Sequence, residues 1–238
     1  MRVLIALAGF CFLASTTLFA ADTISPEEKK LQEEFTKAYR VNDKDARKTA
    51  VGMLDGAKHK SSWDMVANVA RTDPDKEVQL AAIGILAKVP AHDGSIAHQL
   101  ALIYSAIKFN DIEHRLAVAK ILTGVEFKYE IANAIGYQLT QMRYPDVPKP
   151  MAFQTGGNNL KQIEAVQKQR KEYEELLEDF NTMAHSEVTP IKEAPNKVKQ
   201  WLAENSGKLV QADRELADKY KKEDAEAAKA AKAAAGGK

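Results

Sequence analysis

The chain has 238 residues, with 34 Lys+Arg against 33 Asp+Glu, five histidines and one cysteine. A balance this close to neutral excludes a surface built mainly to track phosphate, so no nucleic-acid partner is expected. A single cysteine excludes an internal disulfide framework and a thiolate metal centre.

Residues 1–21 read as a secretory signal. Arg2 is the positive start, Val3 to Phe19 is an apolar run that contains Cys11, and Ala20-Ala21 supply small residues for cleavage. Cleavage near Ala20 gives a secreted or periplasmic chain without a thiol. Removal of Arg2 takes the basic count from 34 to 33, equal to the 33 acids. Uncleaved, the same stretch would be an N-terminal membrane anchor.

Ser25-Pro26-Glu27-Glu28 is a helix start: a capping hydroxyl, a proline at the first helical position and a glutamate three after the cap. Leu31, Phe35, Ala38 and Tyr39 give this helix one apolar stripe, running to about Val41.

A repeated pattern follows. NDKDARKTAVGMLDG recurs 32 residues on as DPDKEVQLAAIGILAKV and 36 further as DIEHRLAVAKILTGV. The columns are Asp43/Asp75/Asp111, Ala46/Val78/His114, Arg47/Gln79/Arg115, Ala50/Ala82/Val118, Met53/Ile85/Ile121 and Leu54/Leu86/Leu122. Apolar positions recur at i, i+4, i+7, i+8 and i+11, which is one face of a helix. Each copy precedes a second helix, at about 62–71, 95–109 and 129–142. No stretch alternates with the period of a strand, so the chain is expected to be all-α.

The order Asp, apolar, Arg, Ala, Leu in these columns resembles the HEAT repeat. Asp43-Ala46-Arg47-Ala50-Leu54 carries the whole pattern. Gln79 departs at the Arg position, and His114 and Val118 depart in the third copy. The resemblance covers residues 42–142. It implies a short α-solenoid with an Asp–Arg ladder between repeats, broken at Gln79, and it implies no function of its own.

Residues 143–158, with three prolines and two glycines, read as a linker. Residues 159–224 read as a helical hairpin or coiled-coil segment. A long helix over about 159–184 carries Ile163, Tyr173, Leu177 and Phe180 on one stripe. A second begins near Asn196, with a break at Ser206-Gly207. The pair either closes the open end of the array or stands as a separate arm. The tail at 225–238 has eight alanines and three lysines and is expected to fray into disorder. Its lysines Lys229, Lys232 and Lys238 either make weak contact with an anionic surface or simply keep the end soluble.

No motif for a nucleophile, metal or nucleotide is present, and none of the histidines has helical ligand spacing. No catalytic, cofactor or metal residue is assigned. On the outer face of the second helices, Met65/Val69, His98/Leu102 and Asn133/Tyr137 recur at i and i+4. Val69, Leu102 and Tyr137 then form an apolar row on the side that solenoids present as concave. Either a partner protein docks there or the C-terminal helices cover it. The expectation is an exported, non-enzymatic scaffold that binds another protein. Its rivals are an envelope-surface module acting through the basic tail, and an accessory subunit of an enzyme.

Overall fold

A computed structural model describes residues 24–90, 94–108, 110–145 and 157–235. The signal segment at 1–21 with its cleavage point near Ala20, most of the 143–158 linker, and Lys238 lie outside the described residues.

Local capping sets where each early helix begins. In α1 (Pro26–Tyr39) the Ser25 hydroxyl accepts the Glu28 N–H at 3.2 Å. In α2 (Lys44–Met53) Asp43 accepts the Ala46 N–H at 2.8 Å, and in α4 (Lys76–Leu86) Asp75 accepts the Glu77 N–H at 3.0 Å. A helix leaves its first N–H groups unpaired, so the recurring Asp column is explained as a set of starts. In α6 (Ile112–Leu122) Asp111 precedes the helix too, but its carboxylate instead takes the Lys76 ammonium at 2.6 Å.

Between these helices run α3 (Lys60–Thr72), α5 (Ser95–Ala106) and α7 (Tyr129–Gln141), followed by α8 (Gly157–Ala184) and α9 (Ala194–Ala235). Among the described residues every regular element is a helix. No described helix is long and apolar enough to cross a membrane.

Packing follows the repeat. α2, α4, α6 and α8 lie successively against one another in one layer, and α3, α5, α7 and α9 do so in a second. The columns meet between the layers: Ala50, Val78, Ala82, Val118, Leu86 and Leu122 are completely buried, and Leu54 nearly so.

The Arg/Gln column ties down the carbonyls that lead into each helix. Arg47 donates to Asn42 O at 3.2 Å, Gln79 to Asp73 O at 2.7 Å, and Arg115 to Lys108 O at 3.0 Å and Ile107 O at 2.5 Å. For Arg47 the partner is not the one that the Asp–Arg ladder implies. The acid that Arg47 meets is Asp73, just outside the Asp column, and Arg115 reaches the Gln138 amide oxygen of α7. Besides the buried Arg47–Asp73 pair, lysine–acid pairs on the surface link copy to copy, Lys44–Glu77 at 2.9 Å and Lys76–Asp111.

The two long helices both lie on α7, and α8 also rests on α6. Tyr173, Leu176, Leu177, Phe180 and Met183 are buried, so the α8 stripe is core. Both helices therefore pack on the repeat helices, α8 on α6 and α7 and α9 on α7. Gly136 allows it: a Cβ there would stand 2.7 Å from Leu202 Cδ1 and 3.0 Å from Phe180 Cε2. α8 ends with His185 in the left-handed region, φ 51°, and the Ser186 N–H returns to Asn181 O at 3.1 Å, the usual way of closing a helix C-terminus.

Two expectations about α9 are corrected. It runs through Ser206-Gly207 without a break, and residues 225–235 remain helical. Alanine has the highest helix propensity, so the tail continues a helix already nucleated upstream.

Candidate protein-contact face

α5 buries Ile96, Ala97, Leu100, Ala101, Ile103 and Tyr104, and α7 buries Ile131, Ala132, Ala134, Ile135, Gly136, Gln138 and Leu139. A helix repeats every 3.6 residues, so positions half a turn from these stripes must face outward. Leu102 and Tyr137 do. They are 52% and 60% exposed, on helices that pack side by side.

The residues around them are polar. His98 Nδ1 lies 3.5 Å from Glu130, joining α5 to α7, and Gln99 Nε2 donates to Asp64 at 3.3 Å, joining α5 to α3. His98 is exposed and Asn133 and Met65 are half-buried.

Val69 does not belong to the row. It is 2% exposed and lies on the α3 core stripe with Ser62, Val66 and Ala70. The stripes align when α3 is shifted by 34 residues against α5, which places Asn68, not Val69, beside Leu102. A one-residue slip turns a side chain by about 100° around a helix, enough to move it from surface to core. The face is therefore an apolar pair, Leu102 and Tyr137, continued by exposed Asn68 and Arg71 on α3.

The C-terminal helices do not cover this pair. The stripe Tyr173, Leu177, Phe180 is spent against α6 and α7, while Leu102 and Tyr137 remain open. Val41 and Ile191, 49% and 37% exposed, lie on other parts of the chain.

Elsewhere the buried polar groups are structural. His114 is 5% exposed, its Nδ1 has no hydrogen-bond partner, and burial pushes its imidazole toward the neutral form. Among the described residues no group of three or more His, Cys, Asp or Glu is placed to hold a metal ion.

Two buried phenols have no signal in the sequence. Tyr104 and Tyr173 are fully buried with unpartnered hydroxyls, and burial raises both phenols. The charge of Asp179, on α8, acts on Tyr104, and burial together with Glu178 raises the Asp179 carboxyl to about 6.

Comparison with protein-family models, curated proteins and solved structures finds no match for this chain. The functional reading therefore rests on the face itself.

Proposed function

We propose that the chain is an exported, non-catalytic helical-repeat scaffold, a short α-solenoid closed at one end by α8 and α9, and that it binds another protein through the outer face of α5 and α7. The successive packing of α2–α4–α6 and α3–α5–α7 supports the solenoid reading. The lodging of α8 and α9 on α7 supports the closed end.

The observation that carries the binding site is the exposed pair Leu102 and Tyr137 in a chain whose other repeat-helix stripes are buried. Tyrosine is enriched at interface hot spots, and Tyr137 stands exposed on a helix packed beside the one that carries exposed Leu102, with polar groups around. Burying the pair excludes water from two large apolar side chains, at about 25 cal/mol per Å² of apolar area. The rim groups His98, Asn133, Asn68 and Arg71 would set orientation more than affinity.

The test is affinity capture from the native envelope fraction with three forms: the unaltered chain, Leu102→Asp/Tyr137→Asp, and Lys48→Glu on the opposite layer. A protein retained by the first and third and lost from the second identifies the partner. Equal capture by all three would place binding elsewhere.

A further inference from the structure

Beside the Leu102–Tyr137 pair the outer layer is cut by an open groove of about 490 Å³, bounded by the first turns of α5 and α7 and by α9. Small-ligand clefts span about 300–1,000 Å³, so a side chain of another molecule can enter it. His98 and Glu130 line the groove and also border the pair. His98 stands one turn before Leu102 on α5, and Glu130 two turns before Tyr137 on α7. Groove and pair therefore open on the same side, about 5–10 Å apart along the helices.

The floor of the groove is apolar. Ala97 and Phe127 are buried, and Val210 and Ala217 of α9 are half-buried.

Its polar groups are unevenly satisfied. Asp213 accepts the Lys128 and Tyr129 N–H groups at 2.9 Å each, capping α7, which has no side-chain cap of its own. Glu130 faces His98 Nδ1 at 3.5 Å. Both carboxylates thus have partners within the fold. The donors do not. Among the described residues, the exposed Arg214 guanidinium makes no hydrogen bond or ion pair, and half-buried Tyr129 leaves its hydroxyl unpartnered. A groove with engaged acceptors and open donors fits an acceptor from outside. An anionic acceptor beside a guanidinium makes the stronger, charge-assisted bond.

We propose that the groove is the second half of the α5–α7 interface and takes an aspartate or glutamate side chain of the bound protein. Arg214 and the Tyr129 hydroxyl hold the carboxylate while an apolar residue of the same segment covers Leu102 and Tyr137. This assignment rests on the face proposed above and adds what the partner brings to it, an acid beside an apolar anchor.

The probe is a displayed library of random peptides selected on the full chain, with recovered peptides then labelled and titrated by fluorescence anisotropy. Recovered peptides should share an Asp or Glu at a fixed spacing from an aromatic or branched aliphatic residue. Arg214→Glu should weaken such a peptide about three- to tenfold and flatten its salt dependence. Tyr129→Phe removes a hydroxyl that the fold does not use and should weaken it a few-fold. Lys48→Glu on the opposite layer should leave it unchanged. Changing the peptide's acid to the amide should cost binding to the unaltered chain but not to the Arg214→Glu chain. No recovered peptide, peptides without a shared acid, or indifference to Arg214→Glu would each overturn the proposal. If Leu102→Asp/Tyr137→Asp still abolishes binding in that case, the face stands and the acid alone is misassigned; indifference to both variants would overturn the face as well. Loss of binding only on amidation of the peptide's C-terminus would assign a terminal carboxylate, and recovery of this chain's own sequence would assign a second copy. Either result overturns the assignment to a side chain of another protein.

Discussion

Arg47 and Asp73 form a two-pronged ion pair across two copies of the repeat, Nε to Oδ2 at 2.9 Å and Nη2 to Oδ1 at 3.2 Å. The Asp73 side chain is completely shielded from solvent, and its remaining acceptor sites are taken by the Tyr39 hydroxyl at 2.6 Å and the Asp75 N–H at 2.8 Å. One carboxylate thus joins α1, α2 and the turn between α3 and α4. Removal of one partner of a buried pair leaves an uncompensated charge. Asp73→Ala should therefore cost about 3–5 kcal/mol in denaturant unfolding, with α1 the first element to gain amide exchange. A loss below 1 kcal/mol would show that the pair carries little.

The same carboxylate and Asp179 give stability opposite slopes with pH. Burial pushes Asp73 up, but Arg47, Tyr39 and the Asp75 N–H outweigh it and hold the carboxyl below its ordinary value. Its contribution is present above the unfolded value and is lost as pH falls through the lower folded one. Asp179 is raised to about 6, mainly by burial and then by Glu178 and Glu175, against an opposing Lys120 on α6. The fold favours its protonated form, so that stability is full near pH 4 and is lost as pH rises through about 6. Asp179→Asn should remove the decline between pH 4 and 6. It should leave the protein more stable at pH 8 by about 1–2 kcal/mol, allowing for solvent screening of a half-buried group. Parallel urea midpoints for the two proteins across pH 4–8 would contradict this.

Two helix glycines should respond in opposite directions to the same change. Gly84 in α4 has nothing within 4 Å of an added Cβ, so Gly84→Ala should stabilise by about 0.5–1 kcal/mol. At Gly136 the methyl meets Leu202 and the Phe180 ring, so Gly136→Ala should cost about 1–3 kcal/mol and loosen α8 and α9 from α7. Thermal unfolding of the pair, with limited proteolysis at the α8–α9 turn, reads both.

In the middle copy, Leu86 is 0% exposed, and Leu86→Ala should cost about 2–5 kcal/mol through lost burial and the cavity left behind. Lys88, two residues on, is exposed and pairs with exposed Asp55, so Lys88→Ala should change stability by about 0.5 kcal/mol or less. Equal shifts would mean that the columns are misaligned.

The sequence was most legible where one physical cause acts alone. Leu54, Leu86 and Leu122 mark the core because a 3.6-residue period admits one buried face, whereas Asp43 and Asp75, read from the sequence only as a repeat column, prove to be the caps that set the helix starts. Val69 was misplaced because the outer face of its helix was set one residue out of phase; the stripe Ser62, Val66, Val69, Ala70 carries the true phase. The acid facing Arg47 was missed because Asp73 is two residues outside the column, where no periodicity points. Asp213 at the α7 N-terminus and Asp179 near Tyr104 join positions about 75 to 85 residues apart. Such juxtapositions arise from how α8 and α9 lie on the repeats, which no local pattern encodes.

The central claim is that Leu102 and Tyr137 form a protein-binding face, and one comparison tests it most directly. Leu102→Asp/Tyr137→Asp and the unaltered chain are first matched for free energy of unfolding, which should agree within about 0.5 kcal/mol because both side chains are exposed. Each is then used to capture protein from the native envelope fraction, with quantitative mass spectrometry as the readout. The account predicts a specific partner enriched by the unaltered chain and reduced by at least about tenfold with the variant, as expected for loss of two hot-spot side chains. The same enrichment with both would contradict it.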